Sequence, residues 1–338
     1  MRRGIRDTTG IASTIMQGGL DYETPALSVQ PGRMLSCKNY EVDTLGGYTR
    51  IQGYERFDGQ SSPTDSADKD AARALIQPVP GNGKIRGIHL YKGVAYAFRN
   101  TSDDSACKMY QAASSGWQEV VTPALNPNGR YELINYNFEG AASSVVMMGV
   151  DGKNHAFIYD GTTFTQITIS GESGYPSHLA AHYNHLFLAF PEGQLYHSGI
   201  ADPTDFDVNA GAGLIGTGDD IVGLKPTVGG ALAVLMRNRM SILYGSDQSE
   251  WQKRDLRTQE DQIGAIEHSV QNLSDMFYLD DRGITSLASS QNFGNFEDGT
   301  VSTGVNPFLK ERKARVTASC VVKNKNQYRI FFRNPDAT

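Results

Sequence analysis

The chain has 338 residues, enough for a large core and for one or two domains, and no run of 18 apolar residues, so no membrane insertion is expected. Charged residues make up 20%, glycine counts 36, and 31 basic against 37 acidic side chains give a net charge of −6. That balance leans to a turn-rich all-β fold and argues against a sequence-specific nucleic-acid reader, though a duplex passing without sticking would tolerate it.

Residues 1–36 are rich in Gly, Thr, Ser and Pro without a sustained period, which predicts an extended N-terminal arm. Such an arm is either a frayed end or a segment clamped onto a neighbouring subunit. Arg2, Arg3 and Arg6 lead into Asp7-Thr-Thr-Gly10 where a signal peptide would be apolar, so none is expected. Residues 37–80 read as a platform-like strand pair followed by a linker. Tyr40 and Val42 alternate with polar residues, Gly46-Gly47 makes a turn, and Tyr48–Phe57 continues as a second strand. Residues 60–80 form the linker, with one short helical stretch from Ala67 to Leu75.

From residue 81 to 338 one motif organises the text. Leu232-Ala-Val-Leu-Met236 and Met240-Ser-Ile-Leu-Tyr244 flank Arg237-Asn238-Arg239, which predicts a hairpin with Asn238 at a position of positive φ. Similar hairpins have turn centres at Gly152, Gly193, Asn238, Gly283 and Lys325, spaced by 41, 45, 45 and 42 residues. An earlier copy centred on Gly93 lies 59 residues before Gly152, which implies a longer insertion. About six units with a period of roughly 40–45 residues match β-propeller blades, each too thin to bury both faces alone. A β-sandwich with evenly spaced hairpins is the alternative. Only two strands remain in the last unit, Val321–Phe332, so the Tyr48–Phe57 strand is the candidate closing strand.

The phrases Asn39-Tyr-Glu-Val42, Gly46-Gly-Tyr-Thr-Arg50 and Gly53-Tyr-Glu-Arg-Phe-Asp-Gly59 resemble the opening of tail nozzle or tail hub proteins of short-tailed bacteriophages, also called packaged-DNA stabilisation proteins. Further similarity lies in Asp202-Pro-Thr-Asp-Phe206, Asp219-Asp-Ile-Val-Gly-Leu224, Gly264-Ala-Ile-Glu-His268 and Phe277–Leu287. The resemblance implies a propeller-containing structural virion protein without enzymatic activity. It would form a homo-oligomeric ring, a hexamer, below the head–tail adaptor, touch other tail proteins, and let double-stranded DNA pass non-specifically. It would be assembled in the host cytoplasm and reside in the phage tail. Gln327-Tyr-Arg-Ile-Phe-Phe332 resembles a mid-protein strand of that family, so a distal domain is expected to be absent here. Two rivals remain: a glycan-binding or glycoside-cleaving propeller, on fold analogy, and a secreted module that binds protein partners.

No catalytic residue, cofactor site or metal site is expected. His178, His182, His185 and His197 could supply a tetrahedral zinc site, but a strand through Leu179-Ala-Ala181 puts His178 and His182 on one face and His185 on the other. They read as satisfied or exposed histidines. Cys37, Cys107 and Cys320 are far apart, which favours neither a disulfide framework nor a zinc knuckle. The pairs Asp103-Asp104, Asp219-Asp220, Glu260-Asp261 and Asp280-Asp281 sit at turns, where Asp is favoured anyway. Gly245-Ser-Asp-Gln-Ser-Glu-Trp251 partly resembles the sialidase Asp-box but lacks its Gly between Asp and Trp. Met147, Met148, Met236 and Met240 are expected to fill core gaps. Arg237, Arg239, Lys253, Arg254 and Arg257 form the one local cationic cluster, a phosphate contact or, more often, a solvated hairpin tip or an inter-subunit salt-bridge partner.

Overall fold

In the computed structural model the described residues are 16, 18–43, 47–51, 78–113, 116–227, 230–256, 264–287 and 300–334. The predicted helix at 67–75 therefore lies outside them, as do residues 52–77 of the linker region.

A small hairpin comes first, β1 (Tyr40–Val42) with β2 (Tyr48–Arg50). Four antiparallel four-stranded sheets follow, each a meander in chain order. The first is β3 (Asn82–Tyr91), β4 (Val94–Asn100), β5 (Cys107–Ala113) and β6 (Gly116–Leu125). The second is β7 (Glu132–Tyr136), β8 (Val146–Val150), β9 (Ala156–Tyr159) and β10 (Phe164–Ile167). The third is β11 (His178–His182), β12 (His185–Phe190), β13 (Gln194–His197) and β14 (Gly213–Gly216). The fourth is β15 (Ile221–Pro226), β16 (Leu232–Met236), β17 (Met240–Tyr244) and β18 (Gln252–Asp255). A three-stranded sheet holds β19 (Gln271–Asn272), β20 (Met276–Leu279) and β21 (Ile284–Ser286), and a two-stranded sheet holds β22 (Val316–Val322) and β23 (Gln327–Phe332). One short helix, α1 (Asn306–Lys310), precedes β22.

The first strands of successive sheets lie side by side: β3 by β7, β7 by β11, β11 by β15, and β19 by β22. Between β15 and β19, Asn272 Nδ2 donates to the Pro226 carbonyl at 2.7 Å. This is a β-propeller of six blade-like units, with the first strand of each unit innermost.

The fourth blade shows why the text folds this way. β16 and β17 pair Leu232 with Leu243 and Val234 with Ser241, so neighbouring residues point to opposite blade interfaces. Ala233, Leu235 and Ile242 pack with Met276 and Tyr278 on one side, while Leu232, Val234 and Leu243 pack with Phe187 and Leu195 on the other. Each large side chain fully buried in this way contributes about 1.5–3 kcal/mol. Met147 and Met148 divide likewise, one into the first-to-second interface and the next into the second-to-third.

Two expectations change. Asn238 does not adopt positive φ; its backbone N–H donates to Asp219 Oδ2 at 2.7 Å, so an outside carboxylate braces the turn. Nor does the 59-residue gap reflect an insertion. Gly93 lies in the first hairpin turn of its blade, between β3 and β4, whereas Gly152, Gly193, Asn238 and Gly283 lie in the second turn of theirs. The matching turn of the first blade runs from Thr101 to Ala106, closed by Thr101 N–H donating to the Ala106 carbonyl at 2.9 Å.

The described N-terminal and C-terminal segments meet. Residues 18–34 double back on themselves, with Gly18 N–H donating to the Gly32 carbonyl and Met34 N–H to the Gly19 carbonyl. They dock on the C-terminal part through Tyr22 N–H to the Gly304 carbonyl, and the Tyr22 ring stacks on Phe308 with centroids 5.6 Å apart. Glu41 of β1 takes ion pairs from Lys325 and from Arg329 of β23. Of the candidate closing strand Tyr48–Phe57, residues 52–57 lie outside the described residues; its described part, β2, pairs with β1 and not with β23, so there the hairpin adjoins the last sheet through side chains instead of extending its ladder.

Candidate functional site

Inner strands of a propeller converge on its axis, and there the polar residues at their ends form one constellation. His178, at the start of β11 and almost fully buried, has Nδ1 2.7 Å from Glu132 Oε2 at the start of β7. Its Nε2 faces Glu267 Oε1 at 3.6 Å, and Glu267 also pairs with His268 at 3.3 Å. Lys225 of β15 reaches the other oxygen of Glu132 at 3.4 Å. Arg130 Nη2 donates to the Thr317 carbonyl of β22, and Ser319 Oγ donates to the His268 carbonyl at 2.6 Å. Five of the six units are thereby tied together at the axis.

The electrostatics are coherent. Burial opposes the charged form of Glu132, but the Lys225 ammonium and the His178 hydrogen bond more than offset it and hold the carboxyl at about 2. Burial also opposes the imidazolium of His178, and hydrogen bonds to Glu132 and Glu267 overcome it, raising the group to about 9. Glu267 is lowered, first by its bond to His178. His268 has no such clamp; burial, followed by the nearby Arg130 charge, pushes it down to about 4. At neutral pH the axis thus holds an imidazolium gripped by two carboxylates, with Lys225 and Arg130 alongside. Such an arrangement fixes blade positions and can orient a polar group entering from the axis.

Sequence reasoning missed Glu132, Lys225 and Glu267 as site residues because none belongs to a catalytic or ligand-binding motif, although Glu267 lies in the phrase Gly264–His268. A signal existed: Glu132, His178, Lys225 and Glu267 follow one another at intervals of 46, 47 and 42 residues, close to the blade period.

The four histidines are all buried. His182 and His185 are direct partners across the β11–β12 turn and so share a side, contrary to the expected split. With His197 they surround Trp251, whose ring centroid is 6.3, 5.5 and 5.9 Å from theirs. His185 and His197 both carry hydrogen on Nδ1, since each bonds the Ser198 carbonyl, at 2.6 and 3.2 Å. His178 is held between two carboxylates, whereas His182 Nε2 and His185 Nε2 are buried without a partner. Among the described residues no group of three His, Cys, Asp or Glu is placed to hold a metal.

The acidic pairs do not converge. Asp103 caps its own turn, accepting from Thr101 and Ser105, which holds it at about 2. Asp104 accepts from Asn82 and Asn100. Asp219 braces Asn238. Asp280 is buried and accepts from the N–H groups of Arg282 and Gly283, whereas Asp281 pairs with Lys313. Glu260-Asp261 and Arg257 lie outside the described residues. In the cationic cluster Lys253 Nζ donates to the Gly216 carbonyl at 3.2 Å and Arg254 lies over the Tyr244 ring at 5.4 Å. Asp247 of the Asp-box-like stretch accepts from Ser249 N–H and Oγ in an ordinary capped turn.

No family model and no curated protein matches the chain. Among solved structures it is similar to a catalytically inactive virginiamycin B lyase from Staphylococcus aureus with quinupristin, at 14% identity and a TM-score of 0.46, covering 72% of this chain and 76% of that one. A streptogramin B lyase aligns at 12% identity and a TM-score of 0.37, over 56% of this chain and 60% of that one. The computationally designed Ika8 protein aligns at 10% identity and a TM-score of 0.47, over 77% and 74%. The expectation, implied by the phage-family resemblance, that the chain is not an enzyme does not stand, since the solved structures it is similar to include lyases. At these identities the likeness is one of fold and names no reaction for this chain.

Proposed function

We propose that the chain is a structural subunit of a short-tailed phage tail, forming a homo-oligomeric ring below the head–tail adaptor that lines or closes the DNA channel and retains packaged DNA until ejection. One observation carries this reading. The stretch that resembles the nozzle family folds in its described part as β1–β2, whose inward residue Glu41 is pinned to Lys325 and Arg329 while Tyr40 and Val42 turn outward, 53% and 57% exposed. Exposed neighbouring apolar side chains on an anchored hairpin suit contact with a second copy of the chain. Rings use heterologous interfaces, in which this patch would meet a different surface on the next copy. The net charge of −6 suits DNA that slides past without being gripped.

The test is Tyr40→Asp combined with Val42→Asp, which leaves Glu41 and its ion pairs in place. Parent protein should form closed rings by mass photometry and negative-stain imaging with its tail partners. The double variant should keep its melting temperature and circular dichroism but fail to close rings. A parent that stays monomeric with those partners, or a variant that assembles equally well, overturns the proposal.

A further inference from the structure

A second feature lies away from the axial constellation. Between the end of β7, the β11–β12 turn and the described residues that follow β15 lies an open cavity of about 610 Å³. Its walls include Tyr136 at the end of β7, His182, Tyr183 and Asn184 at the β11–β12 turn, Thr227 after β15, and Asp247 in the β17–β18 turn. The volume falls within the range of about 300–1,000 Å³ found for small-ligand clefts.

The lip of this cavity is built at a conformational cost. Tyr183 and Asn184 form a two-residue turn with φ of 45° and 59°, both in the left-handed region. Asn tolerates that region, whereas a bulky Tyr there is strained. The strained Tyr183 ring is nonetheless 46% exposed. Opposite it, Gly230 leaves space for the phenol, since a Cβ there would lie 2.7 Å from the Tyr183 hydroxyl. Strain kept at the rim of a cavity is a sign of use.

The lining chemistry narrows the ligand. Among the described residues no Lys or Arg lines the cavity, so none of them offsets the charge of an anion. Tyr136 Oη donates to Asn184 Oδ1 at 3.0 Å, which fixes the amide with its NH₂ group left as a donor. Asp247 is held ionised by its bonds from Ser249 and still has acceptor capacity on its second oxygen. Burial, then the neighbouring His185, pushes His182 down to about 4, so its ring is neutral at physiological pH. Two tyrosine rings offer flat apolar faces, and beside them stand an amide, a carboxylate and a hydroxyl, all uncharged or acceptors. A pyranose presents just such a pair of surfaces, an apolar C–H face and a rim of hydroxyls that donate and accept.

We infer that the cavity between the second, third and fourth blades binds a neutral saccharide, with Tyr183 stacking on the sugar ring and Asn184 and Asp247 taking its hydroxyls. This site is independent of ring assembly and of the Tyr40–Val42 surface, so either reading can fail alone.

The experiment uses the full chain and saturation-transfer NMR with neutral oligosaccharides of glucose, galactose, mannose and N-acetylglucosamine, plus a sialylated oligosaccharide and phosphocholine as charged probes. At least one neutral oligosaccharide should bind with a Kd of millimolar order or tighter, and Tyr183→Ala should weaken it about tenfold or more. Asp247→Asn should weaken it less, and Tyr183→Phe, which keeps the ring, should bind nearly as the parent does. Melting curves check that each variant is folded; if Tyr183→Ala fails to fold, Asn184→Ala replaces it with the same expected loss. Absence of binding by every neutral probe, binding confined to the charged probes, or neutral binding unaffected by these substitutions overturns the inference.

Discussion

The third and fourth blades differ from the closing sheet in what covers their faces. Every residue of β11, β12 and β16 is buried. In β22 and β23 none is, although their lengths and apolar content are similar and their pairing is regular apart from one bulge. Hairpin formation is local and needs only the turn and the alternation, whereas burial needs a packed neighbour on both sides. β22–β23 has β19 on one side, where Tyr328 donates to the Ser269 carbonyl and Gln271 bonds Ser319. The β1–β2 hairpin meets it through charged side chains. Strands of similar length and apolar content therefore yield a dry core in one place and a wet seam in the other.

The sharpest way to probe that difference is a matched pair of truncations. Phe187→Ala empties the centre of the third-to-fourth interface and should cost about 3–5 kcal/mol in urea unfolding. Phe331→Ala, on a side chain 48% exposed in the closing sheet, should change stability by no more than about 0.5 kcal/mol. Comparable losses would mean that the last sheet is covered as well as the middle blades are.

The contrast also explains what could be seen in the text. The blade-period hairpins were legible because turn residues and apolar alternation are local, and Leu232–Met236 and Met240–Tyr244 fold with the expected bounds. Phase was less legible: Gly93 and Lys325 mark first turns, and only the sheet order separates them from the second turns. The axial constellation was invisible as a motif because Glu132 and Lys225 are 93 residues apart and meet only through ring geometry. The His182–His185 partnership turned on the register of a two-residue turn, where one residue of error reverses the face.

Next in size is the axis. His178→Ala removes a charged hydrogen-bond partner from Glu132 and should cost about 2 kcal/mol. The intact axis should also give stability a maximum near pH 6.5. His178 is raised to about 9, so its contribution is complete below pH 6.5 and is lost as pH rises through 9. His268 is lowered to about 4, so its contribution is complete above pH 6.5 and is lost as pH falls through 4. Glu132 is lowered to about 2, and its contribution, complete above pH 4.5, is lost as pH falls through 2. Melting temperatures across this range should show His178→Gln flattening the alkaline arm and His268→Gln flattening the first part of the acid arm. Unchanged profiles in both variants would remove the axis as their origin.

The smallest expected effect tests the wet seam itself. Glu41 holds the β1–β2 hairpin against the closing sheet by accepting from Lys325 and Arg329, with Gln327 Nε2 adding a bond to the Val42 carbonyl at 3.0 Å. Those ion pairs are screened by solvent, so Glu41→Gln should leave the global unfolding midpoint where it is. What it should change is local opening, because β1–β2 is a two-stranded sheet of three residues a side and such a hairpin is at best marginal alone. Hydrogen exchange should accelerate at Glu41, whose amide lies in the β1–β2 ladder, and at Ile51, whose N–H donates to the Asn39 carbonyl, while amides of β12 and β16 keep their protection. Added salt should speed exchange in the parent hairpin toward the variant's rate, since screening acts on the same charges. If exchange in β1–β2 is instead unmoved by the substitution and by salt, the hairpin is anchored by something other than Glu41, and the seam is not electrostatic in origin.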